Sequence, residues 1–442
     1  MSLLSAIRAR IHNAHPDHHA IARSVVWVAL FALLASLARA AKEVVVAFRY
    51  GVSAEVDAYL FVFNLVSWPV GVWFSVLTII LVPLAARIRQ GDSAELPRFR
   101  SELLGLTLIL GLTLAFVGWL GLPLFLRSSW AGLPPTTANI AIQMVPTLSL
   151  LAPLGVLISL FSAWMMAAGR HANTLLEGVP GLVLLLALLV FSDGGVEPLL
   201  WGTLMGFVFH LISLGVPLAR RGMLEAPHLA RQSPQWPAFW KGFGITLAGQ
   251  ALMSVAGLTD QFFAAHLGTG AIATLSYANR ILALILGMGG LVVSRATLPV
   301  FSQAQAQGGL LLRRVAAHWA GLLFVLGLVA MIVGWWLAPL GVKLLFERGA
   351  FTATDTGAVT EVFRYGLLQL PLYFAGLVLV SLLVSQRRYH LLSIIGGANL
   401  IVKIIVAMLL VPDFGMSGLM ISTSIMLGIS FVLLSISVFK NQ

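Results

Sequence analysis

The chain has 442 residues, of which 59% are hydrophobic and only 10% charged, with a mean hydropathy of +0.96. Water-soluble domains carry roughly a quarter charged residues, so a soluble fold is excluded, and the absence of cysteine removes disulfides, thiolate metal sites and thiol chemistry. A net charge of +11 would suggest nucleic acid in a soluble protein; here it is first sorted by membrane side, because cytoplasmic loops are basic.

Apolar runs long enough to cross about 30 Å of hydrocarbon recur from end to end. They predict twelve spans, at about 24–49, 58–87, 102–126, 138–168, 173–192, 198–219, 237–265, 270–302, 315–346, 357–386, 391–411 and 416–438. The fold class is therefore an all-α polytopic membrane protein. Residues 25–41 with Ala38-Arg39-Ala40 mimic a secretory leader. The helical pattern continues through Val44, Val45 and Val46, so this stretch is read as a retained first span. Pro69, Pro123, Pro153, Pro180, Pro299 and Pro371 are expected breakers, tolerated where neighbouring helices or a wet cavity satisfy the freed carbonyls.

Lysine and arginine set the orientation. Arg8, Arg10, Arg23, Arg87, Arg89, Arg98, Arg100, Arg170, Arg220, Arg221, Arg231, Lys241, Arg313, Arg314, Arg387, Arg388 and Lys440 fall on one side, against Arg49, Arg127 and Arg348 opposite. Both termini are expected in the cytoplasm. The net charge is then a topology signal, and no nucleic-acid partner is needed.

The two halves repeat at an offset of about 217 residues. Glu43-Val-Val-Val-Ala-Phe-Arg-Tyr-Gly51 matches Asp260-Gln-Phe-Phe-Ala-Ala-His-Leu-Gly268, and Asp193-Gly-Gly-Val-Glu-Pro-Leu199 matches Asp413-Phe-Gly-Met-Ser-Gly-Leu419. Six spans per half is an even number, so the repeat is parallel, as in transporters built from two bundles around a midplane site. The expected organisation is a tail at 1–23, a first bundle at 24–219, a polar linker at 220–236 and a second bundle at 237–438.

Ionisable groups at membrane depth cost at least ~2.5–3.5 kcal/mol each on insertion scales, so they line a cavity or pair. Arg39, Lys42 and Glu43 sit at i, i+3 and i+4, on one face of the first span. A packing motif would pair Arg39 with Glu43; a cavity site would use the surplus base. Asp57 opens the second span, as a solvated acid, a helix cap or a site residue. Asp260 is the repeat partner of Glu43, either a ligand group or half of a structural pair. Arg280, in Ser276-Tyr-Ala-Asn-Arg280, has its repeat position near Phe63 or Asn64, and that asymmetry fits an anion-binding role. Arg295, Glu361 and Arg364 lie nearer span ends and can snorkel. Lys403, close to mid-span among isoleucines and valine, needs a partner or water, and Glu177 is a further charge in the fifth span. The substrate-binding candidates are thus Arg39, Lys42, Glu43, Asp57, Asp260 and Arg280, with Asn64, Arg295, Arg364 and Lys403 secondary. Gly287, Gly289 and Gly290 read as close-packing residues before hinges.

His12, His15, His18 and His19 have metal-like spacing but read as an exposed tail, so no metal site is expected. The sequence has no Walker loop, Gly-x-Ser-x-Gly or His-Glu-x-x-His, so no catalytic residues, cofactor, ATP hydrolysis or protease chemistry are expected. Coupling to membrane potential, H⁺ or Na⁺ stays open. The cationic excess suits an anionic substrate, with arginine preferred for bidentate phosphate contacts.

Several segments together resemble the MurJ/MviN lipid II flippases. They are Ala41-Lys-Glu-Val-Val-Val-Ala-Phe-Arg-Tyr-Gly51 with Asp57-Ala58; Gly257-Leu-Thr-Asp260 through Gly268-Thr-Gly-Ala-Ile272 and Ser276-Tyr-Ala-Asn-Arg280; Leu345-Phe-Glu-Arg-Gly-Ala-Phe351 with Asp355-Thr356; and Gly415-Met-Ser-Gly-Leu419 with Ser422-Thr423. The resemblance implies a fold of the multidrug/oligosaccharidyl-lipid/polysaccharide exporter (MATE-like) type. It implies a flippase, and no enzyme, that moves an undecaprenyl-pyrophosphate-linked glycan from the inner to the outer leaflet of the bacterial cytoplasmic membrane. Cavity positions carry over at Lys42, Glu43, Asp57 and Arg280. Ser36 stands where the family has arginine, Val70-Gly-Val-Trp-Phe-Ser75 replaces a basic stretch, and Ala283 replaces an acid. These departures keep open an exopolysaccharide or O-antigen-type repeat unit. A cation-coupled drug antiporter would need an acid-dominated pocket, and a non-transporting scaffold would tolerate loss of the cavity charges. The expected partners are the lipid-linked anionic glycan, membrane lipids and wall- or polysaccharide-synthesis enzymes.

Overall fold

The computed structural model describes residues 16–90, 95–169, 176–191, 195–304, 309–386 and 388–439. Arg8, Arg10, His12, His15, Arg170, Asp193, Arg387 and Lys440 lie outside the described residues, as do the side chains of His18, His19, Arg23, Arg89 and Arg295. The described chain is all-helical: α1 Pro16–Tyr50, α2 Ala54–Gln90, α3 Glu95–Leu126, α4 Pro135–Ser149, α5 Leu151–Ala167, α6 Val179–Val190, α7 Glu197–Ala219, α8 Trp236–Ala265, α9 Ala271–Ala304, α10 Gly309–Phe346, α11 Ala353–Leu367, α12 Leu370–Ser385 and α13 Tyr389–Phe439, with a 3₁₀ turn at Ser129–Ala131. Each predicted span falls on a helix, a bent helix pair, or one side of the break in α13 at Gly415, whose φ is 55°. In the fifth span, residues 173–175 lie outside the described residues. Glu177 and Gly178 form a turn and Pro180 sits in the first turn of α6, where its missing N–H costs nothing.

The repeat is visible in the helices themselves. Gly51 after α1 and Gly268 after α8 both adopt positive φ (58° and 109°), the conformation that lets a helix end in a tight turn. The helices that follow start at Ala54 and Ala271. The fourth and tenth spans are both bent pairs: α4 and α5 meet at 44°, and α11 and α12 at 41°. Pro153 and Pro371 stand at these bends, in the first turn of α5 and of α12. Pro69, Pro123 and Pro299, expected as breakers, lie instead inside continuous α2, α3 and α9, because packing in a membrane bundle absorbs a lost hydrogen bond.

Each bend needs room. A Cβ on Gly111 of α3 would come within 2.7 Å of Pro153 Cα, and one on Gly327 of α10 within 2.6 Å of Pro371 Cα. These two glycines occupy equivalent places in the repeat, and each lets one helix backbone approach the proline bend of the next. Small residues do this work where lipid removes the hydrophobic drive between helices.

The chain divides into two compact units. One comprises the described residues of Met1–Val45, Trp73–Ala115 and Leu150–Gly242; the other comprises Val46–Val72, Phe116–Ser149 and the described residues of Phe243–Gln442. In the first, the linker is clipped to α3. Glu102, 3% exposed, accepts from the backbone N–H of Gln232 and Ser233 at 3.1 Å and from Trp236 Nε1 at 2.6 Å. Arg100 pairs with Glu225 at 3.6 Å and lies over the Trp164 ring. Burial pushes the Glu225 carboxyl above its ordinary range, and Arg100 opposes that shift. In the second unit a core of Phe301, Ala316, Val378, Leu382, Leu383 and Leu434 joins α9, α10, α12 and α13.

The glycine–proline contacts predict an ordering of stability. Gly111→Ala and Gly327→Ala should each destabilise the detergent-solubilised protein by about 1–3 kcal/mol, the usual cost of overpacking. Gly321→Ala, on α10 with nothing within 4 Å, should leave the thermal unfolding profile unchanged or raise it slightly.

Candidate functional site

In the first unit, α1 carries the charged triplet in a different pairing from the one expected of a packing motif. Lys42 Nζ lies 2.6 Å from Glu43 Oε1, and the Arg39 guanidinium donates to Ser36 Oγ at 3.0 Å within electrostatic reach of Glu177. The flexible lysine stem folds back onto its neighbour. The base left over by the single acid of the triplet is therefore Arg39, which is exposed, and not Lys42. Ser36, the departure from the family pattern, is the residue that holds Arg39.

In the second unit, Asp260 of α8 and Lys403 of α13 form a buried ion pair. Lys403 Nζ lies 2.9 and 3.0 Å from the two carboxylate oxygens and also donates to Thr423 Oγ1, and its side chain is 3% exposed. The partner that mid-span Lys403 requires is thus the repeat counterpart of Glu43. Asp260 and Thr423 also line a cavity of about 270 Å³, together with polar Asn279 and Gln369 and apolar Leu282, Ala283, Leu286 and Met420. Arg280 follows Asn279 on α9 and is exposed.

Asp57 is neither solvated nor the cap of its own helix. It is 1% exposed, and its carboxylate accepts from the backbone N–H of Gly270 and, at 2.7 Å, of Ala273. It caps α9 from a position 213 residues earlier in the chain, an arrangement favoured by the orphan donors and positive end of a helix N-terminus. Ser53 takes the first turn of α2, accepting from Val56 N–H at 3.4 Å.

The Phe346–Phe351 string lies beside this cap. Ala350 N–H donates to Phe48 O at 2.7 Å, Tyr277 Oη donates to Gly51 O at 3.0 Å, and the Tyr277 ring packs on Phe346 and Phe351. Gly51 and Gly349 both have positive φ, and a Cβ on either would collide with a backbone carbonyl, Ala350 O and Phe48 O respectively. The Phe346–Phe351 string thus forms a backbone-to-backbone seam on the end of α1. Sequence reasoning had no signal for that role beyond the paired glycines.

Among the secondary candidates, Arg364 does not simply snorkel. Its Nε donates to Trp335 O at 3.0 Å, the carbonyl that loses its helical partner to Pro339 four residues on. Glu361 accepts from Ser417 Oγ at 3.2 Å. Asn64 is half-buried on α2, and Arg295 lies on α9 with its side chain outside the described residues. Gly289 and Gly290 make room for Phe374 and Tyr373, whereas Gly287 has nothing within 4 Å.

The family model described as lipid II flippase MurJ matches residues 46–441. The chain belongs to this family. It is a family of membrane transporters, and the chain is a multi-pass membrane protein of the MurJ and MATE fold. A probable lipid II flippase MurJ of Bdellovibrio bacteriovorus is 28% identical over 253 residues, covering 55% of this chain and 46% of that protein. One from Helicobacter pylori strain J99 is 28% identical over 285 residues, covering 58% and 61%. The matched segment thus spans about half to three-fifths of the length of these curated relatives. Among solved structures, lipid II flippase MurJ in an inward closed conformation superposes with TM-score 0.82 at 19% identity, over 93% of this chain and 87% of that one. An inward-facing multidrug resistance MATE family transporter of the MOP superfamily gives 0.75 at 17%, over 91% and 94%.

The buried pair makes a sharp prediction. Lys403→Met or Asp260→Asn alone leaves the other charge without its counter-ion and should destabilise by about 3–5 kcal/mol. The double variant should recover most of that loss, because no bare charge remains. Thermal unfolding of the four proteins in one detergent reads the coupling.

Proposed function

We propose that the chain flips a lipid-linked anionic glycan, of lipid II type, from the inner to the outer leaflet of the bacterial cytoplasmic membrane by alternating access, with both termini cytoplasmic. Family membership supports the transporter class, and the basic bias of the loops supports the orientation. The observation that carries the substrate class is the Asp260–Lys403 pair. A cation-binding drug pocket needs an acid available to the ligand, and here the acid lining the cavity is neutralised from within. The MATE-like fold alone does not choose a substrate, since one fold serves many.

On this reading Arg280, exposed on α9 beside the cavity-lining Asn279, engages the pyrophosphate. Its planar fork presents two parallel N–H donors to a pair of oxygens in a fixed geometry, which the point charge of an ammonium does not. Within the first unit, Lys42 is matched by Glu43 and Arg39 carries the surplus positive charge of α1. Tail and glycan would then be carried by rocking of the helices around the bound head group.

Arg280→Lys should lose most of the outward movement of a lipid-linked sugar in proteoliposomes, and Arg280→Ala nearly all of it, with protein level unchanged. Full transport by the alanine variant would remove Arg280 from the site.

A further inference from the structure

The 270 Å³ cavity of the second unit has a chemistry that Arg280 does not explain. Its one acid, Asp260, is matched by Lys403, whose ammonium is already held by both carboxylate oxygens and the Thr423 hydroxyl. A cation entering the cavity meets no bare carboxylate. An anion meets an ammonium already paired with the Asp260 carboxylate and bonded to Thr423, its side chain 3% exposed. A pure hydrocarbon chain would have to cover Asn279, Gln369, Asp260 and Thr423, and burying amides without partners is costly. What fits is an uncharged group that carries both hydroxyls or amides and C–H surface.

We propose that this cavity receives a sugar ring of the glycan, with Asn279 and Gln369 as the residues that read it; the inference rests on the flippase reading above. Asn279 is exposed and offers both a donor and an acceptor to ring substituents. Gln369 is 7% exposed, and its amide is fixed because Nε2 donates to Gly366 O at 2.7 Å, so Oε1 is held as an acceptor of defined position. Leu282 and Met420 supply the apolar wall. They approach closely because residue 366 is glycine: a Cβ there would meet the Leu282 side chain and lie 3.2 Å from Met420 Sδ. The volume falls just below the ~300–1,000 Å³ of sites for drug-sized ligands, which suits one ring and excludes a whole oligosaccharide. Arg280, adjacent in sequence to Asn279, would then hold the phosphate end while the cavity holds the sugar end, so that charge and sugar are recognised by neighbouring residues of one helix.

The test uses the full chain in nanodiscs and two probes, a polyprenyl pyrophosphate bearing an N-acetylated disaccharide and the same lipid without sugar. The wild type should bind the sugar-bearing lipid more tightly. Asn279→Ala and Gln369→Met should each weaken that binding about three- to tenfold, the effect of losing one or two net hydrogen bonds, while affinity for the sugar-free lipid stays within error. Because Asn279 lies on the surface, its variant carries the test if Gln369→Met lowers the thermal unfolding temperature. Equal weakening for both lipids, or no change for either, would overturn the sugar assignment while leaving the flippase reading intact. If the wild type binds neither lipid, the flippase reading fails and the sugar assignment falls with it.

Discussion

Burying Asp260 in a bundle of membrane helices costs several kcal/mol unless a counter-charge is buried with it, and Lys403 supplies that charge from a helix 143 residues away in sequence. The pair ties α8 to α13 and uses the Thr423 hydroxyl as its third oxygen. It also decides what the adjoining cavity can hold. An acid left bare would make a cation site; the same acid matched by an ammonium makes a neutral polar wall. Fold stability and ligand chemistry meet in one interaction, which is why a structural reading of Asp260 and a site reading do not compete.

The same economy governs the backbone. A proline frees a carbonyl, and hydrocarbon offers that carbonyl nothing. Arg364 meets that need directly by donating to Trp335 O near Pro339; glycines at 111 and 327 make room for the bends at Pro153 and Pro371, and at the start of α9 Asp57 meets the opposite need by accepting orphan N–H groups. Two of these use a charged side chain, Arg364 or Asp57, to satisfy backbone groups. Charge within a span is therefore an ambiguous functional signal, and the geometry of its nearest polar partner resolves it.

Hydropathy made the all-helical, multi-pass character legible, because about 20 apolar residues per crossing is a requirement of bilayer thickness. The repeat was legible for a similar reason: the acid-to-glycine spacing of 43–51 and 260–268 reflects helices that end alike. Pairings were less legible. Spacing on α1 allowed Arg39–Glu43, yet Lys42 reaches Glu43 first, since a long flexible side chain is not confined to i+4 geometry. The cap of α9 by Asp57 and the seam between Phe48 and Ala350 join residues more than 200 apart, and no local pattern encodes them. The string Phe346–Phe351 gave no hint in the sequence of the seam it makes with the end of α1.

Lipid II flippases and drug exporters share this architecture at under 20% identity, so the substrate must be argued from charge and shape within the helices. The most direct measurement is the appearance of a lipid-linked disaccharide in the outer leaflet of liposomes containing the purified wild-type chain, with the sugar detected by an impermeant lectin. Protein-dependent appearance of the sugar, without transport of a cationic amphiphile in the same vesicles, is the predicted result. Transport of the cationic amphiphile with no movement of the sugar lipid would contradict it.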